Sequence, residues 1–124
     1  MDSAALHNWV AAYNWDDGLV PIRAIVDSLQ TQHDTALMIY WLLGGPELEG
    51  DTSPVNAEAV RLQAVVRERL LAGFYPPGSS RYDPTAELSR VQVYQYRKAG
   101  VPDVLLGAEN RHAEQVAPPD RSGD

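Results

Sequence analysis

Apolar residues recur along this chain at intervals of three and four, the spacing that lines one face of an α-helix. Leu6, Trp9, Val10 and Tyr13 form the first such stripe and predict a helix over Ser3–Tyr13, capped by Asp2 or Ser3. Asn14-Trp15-Asp16-Asp17-Gly18 then breaks the pattern with turn-forming residues, and Asp17 or Gly18 is the expected cap of a second helix, with Pro21 in its first turn. Leu19, Ile22, Ile25, Val26 and Leu29 give that helix its inner face. Asp34 is the expected cap of a third helix, Thr35–Leu43, which is apolar nearly all round and so belongs in the middle of the fold. Gly44-Gly45-Pro46 ends it.

The polar loop from Glu47 to Thr52 leads to Ser53-Pro54, a cap followed by proline at the first helical position. A fourth helix is expected to run from there to about Ala72, with Ala59, Leu62, Val66 and Leu70 inward and Arg61, Arg67, Glu68 and Arg69 outward. Gly73-Phe74 reads as a glycine stop with an apolar residue folding back onto the last turn. Asp83-Pro84 repeats the cap-then-proline start for a fifth helix carrying Leu88, Val91, Val93, Tyr94 and Tyr96, and Gly100-Val101-Pro102 repeats the stop. The alternation of apolar residues within that segment lies between the two signals and is read as helix. Val104–Leu106 makes one docking turn, and residues 108–124 are too polar to pack. The predicted architecture is all-α: a compact single-domain bundle of about five helices over residues 1–107, with irregular loops and a disordered acidic tail over 108–124.

Composition narrows the function. The chain has 124 residues and no cysteine, which removes disulfides, thiolate nucleophiles and cysteine-bound metals. The start, MDSAALHNWV, lacks the basic and apolar regions of a secretory signal, and Ala36–Leu43 is too short to span a bilayer, so a cytoplasmic location with no membrane partner is expected. The net charge is −7, and its basic residues are not gathered on one face, which argues against nucleic acid. The acidity is concentrated: residues 1–50 hold seven acids against Arg23 alone, a net of −6, while 51–107 carry +1 and 108–124 carry −2.

Catalytic constellations are not evident. There is no Gly-x-Ser-x-Gly elbow, and Ser79 and Ser80 fall in a loop with no helix start behind them. Gly44-Gly45 follows a helix rather than a strand and has no lysine after it, unlike a phosphate-binding loop. His7, Asp16, Asp17, His33 and Asp34 are possible metal ligands, the first three at the end of the first helix, yet their spacing matches no zinc or calcium loop. His7 is better read as packed beside its apolar stripe, His33 as a turn residue, and Asp16-Asp17 as turn and cap. No cofactor and no enzyme activity are therefore expected. Trp9, Tyr40 and Trp41 fall on apolar faces. Trp15 stands in a polar turn beside two acids, either as a binding anchor or as a plug packed beneath the turn.

The run Leu6-His7-Asn8-Trp9, Tyr13-Asn14-Trp15-Asp16-Asp17-Gly18, Asp34-Thr35-Ala36-Leu37-Met38-Ile39-Tyr40-Trp41, Tyr82-Asp83-Pro84 and Val101-Pro102-Asp103-Val104-Leu105 resembles a bacterial family of unknown function. That family is marked by a YNWDDG turn followed by a TAL-type apolar helix, and the likeness spans residues 5–106. Asp34 departs from it, since a small residue is expected before Thr35. Such proteins are often encoded beside toxins of interbacterial competition, so the resemblance implies an immunity-type protein that neutralises a cognate toxin by occlusion. Its expected partner-binding residues are Asn14, Trp15, Asp16, Asp17, Glu47, Glu49 and Asp51. The alternatives are a helical interaction module with another protein partner and, less favoured, a metal-dependent hydrolase.

Overall fold

The computed structural model describes residues 2–78 and 82–107, so Ser79, Ser80 and the expected tail over 108–124 lie outside the described residues. The chain gathers into two compact units, Met1–Tyr82 and Asp83–Asp124. The regular elements among the described residues are helical: α1 Ser3–Ala12, α2 Val20–Val26, α3 His33–Leu43, α4 Ala57–Leu71 and α5 Arg90–Lys98, with short 3-10 turns between them. No helix among those residues is long and apolar enough to cross a membrane.

In the first unit, α1 starts where the sequence predicts, with the Asp2 carboxylate accepting from the Ala5 amide at 2.8 Å. Its Leu6 and Val10 are buried. The start of α2 differs from expectation: Asp17 closes a 3-10 turn, Trp15–Asp17, and Leu19 stands at the cap position without a side-chain bond. Ile22, Ile25 and Val26 are buried as predicted, but Leu29 is 97% exposed because α2 ends before it. α3 begins two residues earlier than expected. Gln32 occupies the cap position, His33 is the first helical residue, and Asp34 is buried in the first turn instead of capping it.

α3 is the core of the unit, with Ala36, Leu37, Ile39 and Tyr40 almost fully buried. Removing a side chain such as Leu37 or Ile39 from water stabilises a fold by about 1.5–3 kcal/mol. Ser53 precedes a 3-10 turn, Pro54–Asn56, which runs on into α4, and Leu62, Gln63, Val66 and Leu70 form the buried face of that helix. After α4, the Phe74 amide donates to the Arg69 carbonyl at 2.9 Å, closing the glycine stop. The Phe74 ring lies beneath the Arg69 guanidinium but stays 61% exposed, whereas Tyr75 is buried and donates its hydroxyl to the Val26 carbonyl at 2.9 Å.

Hydrogen bonds between elements fix the sense in which they run. Ser3 Oγ meets the Gln30 carbonyl and His7 Nδ1 meets Thr35 Oγ1, so α1 and α3 ascend together. Gln63 donates to the Gly45 carbonyl while the His33 amide donates to the Pro76 carbonyl, so α4 descends against α3. Arg23 pairs with Glu58 and Asp27 with Arg69, which aligns α2 with α4. The first four helices thus run up, down, up and down. The α1–α2 and α3–α4 connections consequently share one end, and the α2–α3 connection shares the other with the segment after α4.

The second unit corrects the fifth helix. Asp83 accepts from the Thr85 amide at 2.9 Å, but only a 3-10 turn, Pro84–Glu87, follows, and Leu88 is extended. The helix restarts from Ser89, whose hydroxyl accepts from the Gln92 amide while the Gln92 side chain accepts from the Ser89 amide. This reciprocal box outcompetes the earlier signal. None of the residues of α5 is buried, so Val91, Val93, Tyr94 and Tyr96 do not form a core face. The expected docking turn is present as Asp103–Leu106, with Leu105 and Leu106 buried.

Candidate binding surface

The α1–α2 connection is built by local polar bonds. Asn14 accepts from the Asp16 amide through its side chain at 3.1 Å, and the Tyr13 hydroxyl donates to the Gly18 carbonyl at 2.7 Å. These bonds fix the backbone of the turn, and Asp16 and Asp17 on it are exposed. Trp15 is half-buried, edge-on to Tyr13 with ring centres 5.8 Å apart, and Tyr13 stacks on Trp9 at 4.8 Å. The tryptophan is thus held from below and still presents part of its surface. Partial burial and the neighbouring Asp17 carboxylate push the Tyr13 hydroxyl above its ordinary range.

The α3–α4 connection sits at the same end. Gly45 lets it turn there: its φ is +62°, and a Cβ would meet the Trp41 ring at 2.8 Å. Glu47 and Glu49 follow on the exposed side of the turn. Glu49 accepts from the buried Tyr40 hydroxyl and lies 3.2 Å from Arg67 Nε, an ion pair without the alignment of a hydrogen bond. Burial first, and then the bond to Glu49, push the Tyr40 hydroxyl far up. Asp51 is committed to the turn: its carboxylate accepts from the Ser53 amide at 2.8 Å, the Ser53 hydroxyl at 2.7 Å and the Asn56 amide group at 2.9 Å. The bond from the Ser53 amide, then those from the two side chains, hold its pKa below the ordinary carboxylate range.

Up-down topology therefore carries all seven residues singled out in the sequence, Asn14, Trp15, Asp16, Asp17, Glu47, Glu49 and Asp51, to one end of the first unit. They differ in availability. Asn14 and Asp51 spend acceptors on the backbone and Glu49 is partly neutralised by Arg67, which leaves Asp16 and Asp17 as the most open charges. Two apolar residues missed in the sequence accompany them: Val20, 77% exposed at the start of α2, and Val55, 87% exposed before α4. Val20 opens α2 and Val55 lies in the turn before α4, positions where the stripe pattern gives no sign of which face is covered. A cavity of about 180 Å³ opens beside Glu49, Gln63 and Arg67, below the ~300–1,000 Å³ of small-molecule pockets and suited to a single inserted side chain.

Away from that end lie buried polar residues: His7, packed beside its stripe as the sequence suggests, and His33 and Asp34, which the sequence suggests as a turn residue and a cap. His7 is paired with Thr35 at 2.9 Å within the packed core, far along α1 from Asp16 and Asp17, so these three do not converge. Asp34 lies beneath the segment after α4, so close to Gly78 that a Cβ there would overlap its carboxylate. Among the described residues no group of three or more His, Asp or Glu side chains is arranged to hold a metal ion.

No curated protein and no solved structure matches the chain. One protein-family model does, that of a domain of unknown function, DUF4274, over residues 1–64. The match takes in α1 to α3, both acidic connections and the first half of α4. The chain belongs to the DUF4274 family.

Proposed function

We propose that this chain is an immunity-type protein that binds a cognate, basic toxin in the cytoplasm through the acidic end of its first unit and neutralises it by occlusion. The observation that carries this reading is the meeting of both acidic connections at one end, together with exposed Val20 and Val55 and half-buried Trp15. The other end also exposes apolar residues, Leu29 and Phe74, but its carboxylates are fewer and Asp34 is buried. A surface of this kind divides the work. Its field draws in a positively charged partner and raises the association rate, while a few apolar anchors excluded from water set the lifetime of the complex.

The test is co-expression with the product of the neighbouring gene, which this reading expects to be a toxin. The chain rescues growth, and Asp16→Lys with Asp17→Lys weakens rescue and lowers affinity while helix content is unchanged. Full rescue and unchanged affinity in that double variant would remove the acidic end from the interface.

A further inference from the structure

We propose that α5 is a second docking surface, which takes an acidic amphipathic helix from a protein partner. Arg90, Val93, Tyr94 and Arg97 stand at i, i+3, i+4 and i+7, and so share one face of the helix, over about 10.5 Å of its length. The same four residues line a groove of about 440 Å³, joined by Leu88 and Leu106 from the flanking turns. An arginine thus stands at each end of an apolar middle. Tyr94 is 63% exposed, and no residue of α5 is buried.

Charge selects the occupant. α5 carries Arg90, Arg97 and Lys98 and no acid, within a chain of net charge −7. The nearby carboxylates leave that cationic character largely intact. Asp83 is turned to its own Thr85, and Glu87 in the turn before α5 does not line the groove. Asp103 lies 3.8 Å from Arg97 Nε, beyond hydrogen-bond distance, with both side chains of that pair more than half exposed. The groove itself is lined by two arginines and no carboxylate. A guanidinium has five donors, so this one retains the capacity to bind another carboxylate. The complementary ligand is a helix with carboxylates seven residues apart and apolar side chains at the third and fourth positions between them. None of α1–α4 has that pattern, so a second copy of the chain does not supply it. The surface also falls outside residues 1–64, the part matched by the family, and shares no residue with the acidic end.

The experiment uses the full chain and a fluorescein-labelled synthetic helical peptide with Glu, Leu, Leu and Glu at that spacing, followed by anisotropy at low salt. Saturable binding is expected, weakened roughly tenfold by Arg90→Glu with Arg97→Glu and regained with a peptide carrying Lys for Glu. Tyr94→Ser, an exposed change that spares the charges, also weakens it, which preserves the test should the double reversal disturb folding. Absence of saturable binding, equal binding of a scrambled peptide, indifference to both variants, or displacement by inorganic phosphate at matched ionic strength overturns the proposal.

Discussion

Gln63 is the residue whose role is hardest to see in a linear reading. It sits on the inward stripe of α4 between Leu62 and Val66, is 1% exposed, and spends its amide on the carbonyls of Gly45, at 2.8 Å, and Tyr40, at 3.4 Å. The last carbonyls of a helix have no partner within it, and here α4 supplies one to α3. Gln63→Leu keeps the volume and removes the side-chain donor, leaving the Gly45 carbonyl with the Leu48 amide at 3.1 Å, so it is expected to cost about 0.5–1.5 kcal/mol in urea unfolding. An unchanged midpoint would contradict this role. Gln63 was legible only as a polar residue on an apolar stripe. Its partner lies eighteen positions earlier, in the turn after another helix, where local spacing carries no information.

Among elements, those with a cap and a stop in agreement were legible, and those with competing signals were not. α1 and the body of α4 follow their stripes from end to end. The fifth helix was misplaced because Asp83-Pro84 and Ser89-x-x-Gln92 both announce a start, and the reciprocal box holds two amides where the first signal holds one. α3 was misread at its start, since Asp34 looks like a cap in sequence, while the segment ending in Gly78 packs over it from far along the chain. The acidic connections were legible as residues but not as one surface, because only the alternating sense of the helices brings them to the same end.

The turn before α4 also gives a pH prediction. Asp51 titrates below its unfolded value in the folded chain, so its bonds to Ser53 and Asn56 stabilise the fold above the ordinary carboxylate range and are lost as pH falls through the lowered pKa. Asp51→Asn is therefore expected to be less stable than the native chain near neutral pH, with the difference shrinking as pH drops below ~3.9, the unperturbed value for Asp. Urea midpoints across that range measure it, and a gap that stays constant would show the charge to be irrelevant.

For the molecule as a whole, charge is sorted by position. Residues 1–50 hold most of the negative charge, at −6, and α5 holds three cations and no acid. The first distribution fits capture of a basic partner, and its physical signature is kinetic: an exposed field acts on encounter more than on lifetime and is screened by salt. For the proposed immunity role, the most direct measurement is the association rate constant with the product of the neighbouring gene, which that reading expects to be a basic toxin, followed as ionic strength rises, for the native chain and for Asp16→Lys, Asp17→Lys and Glu47→Lys combined. The account predicts a rate that falls steeply with salt in the native chain, and a slower, far less salt-sensitive rate in the variant, with the dissociation rate little changed. Equal rates and equal salt dependence, with the helices intact, would contradict it.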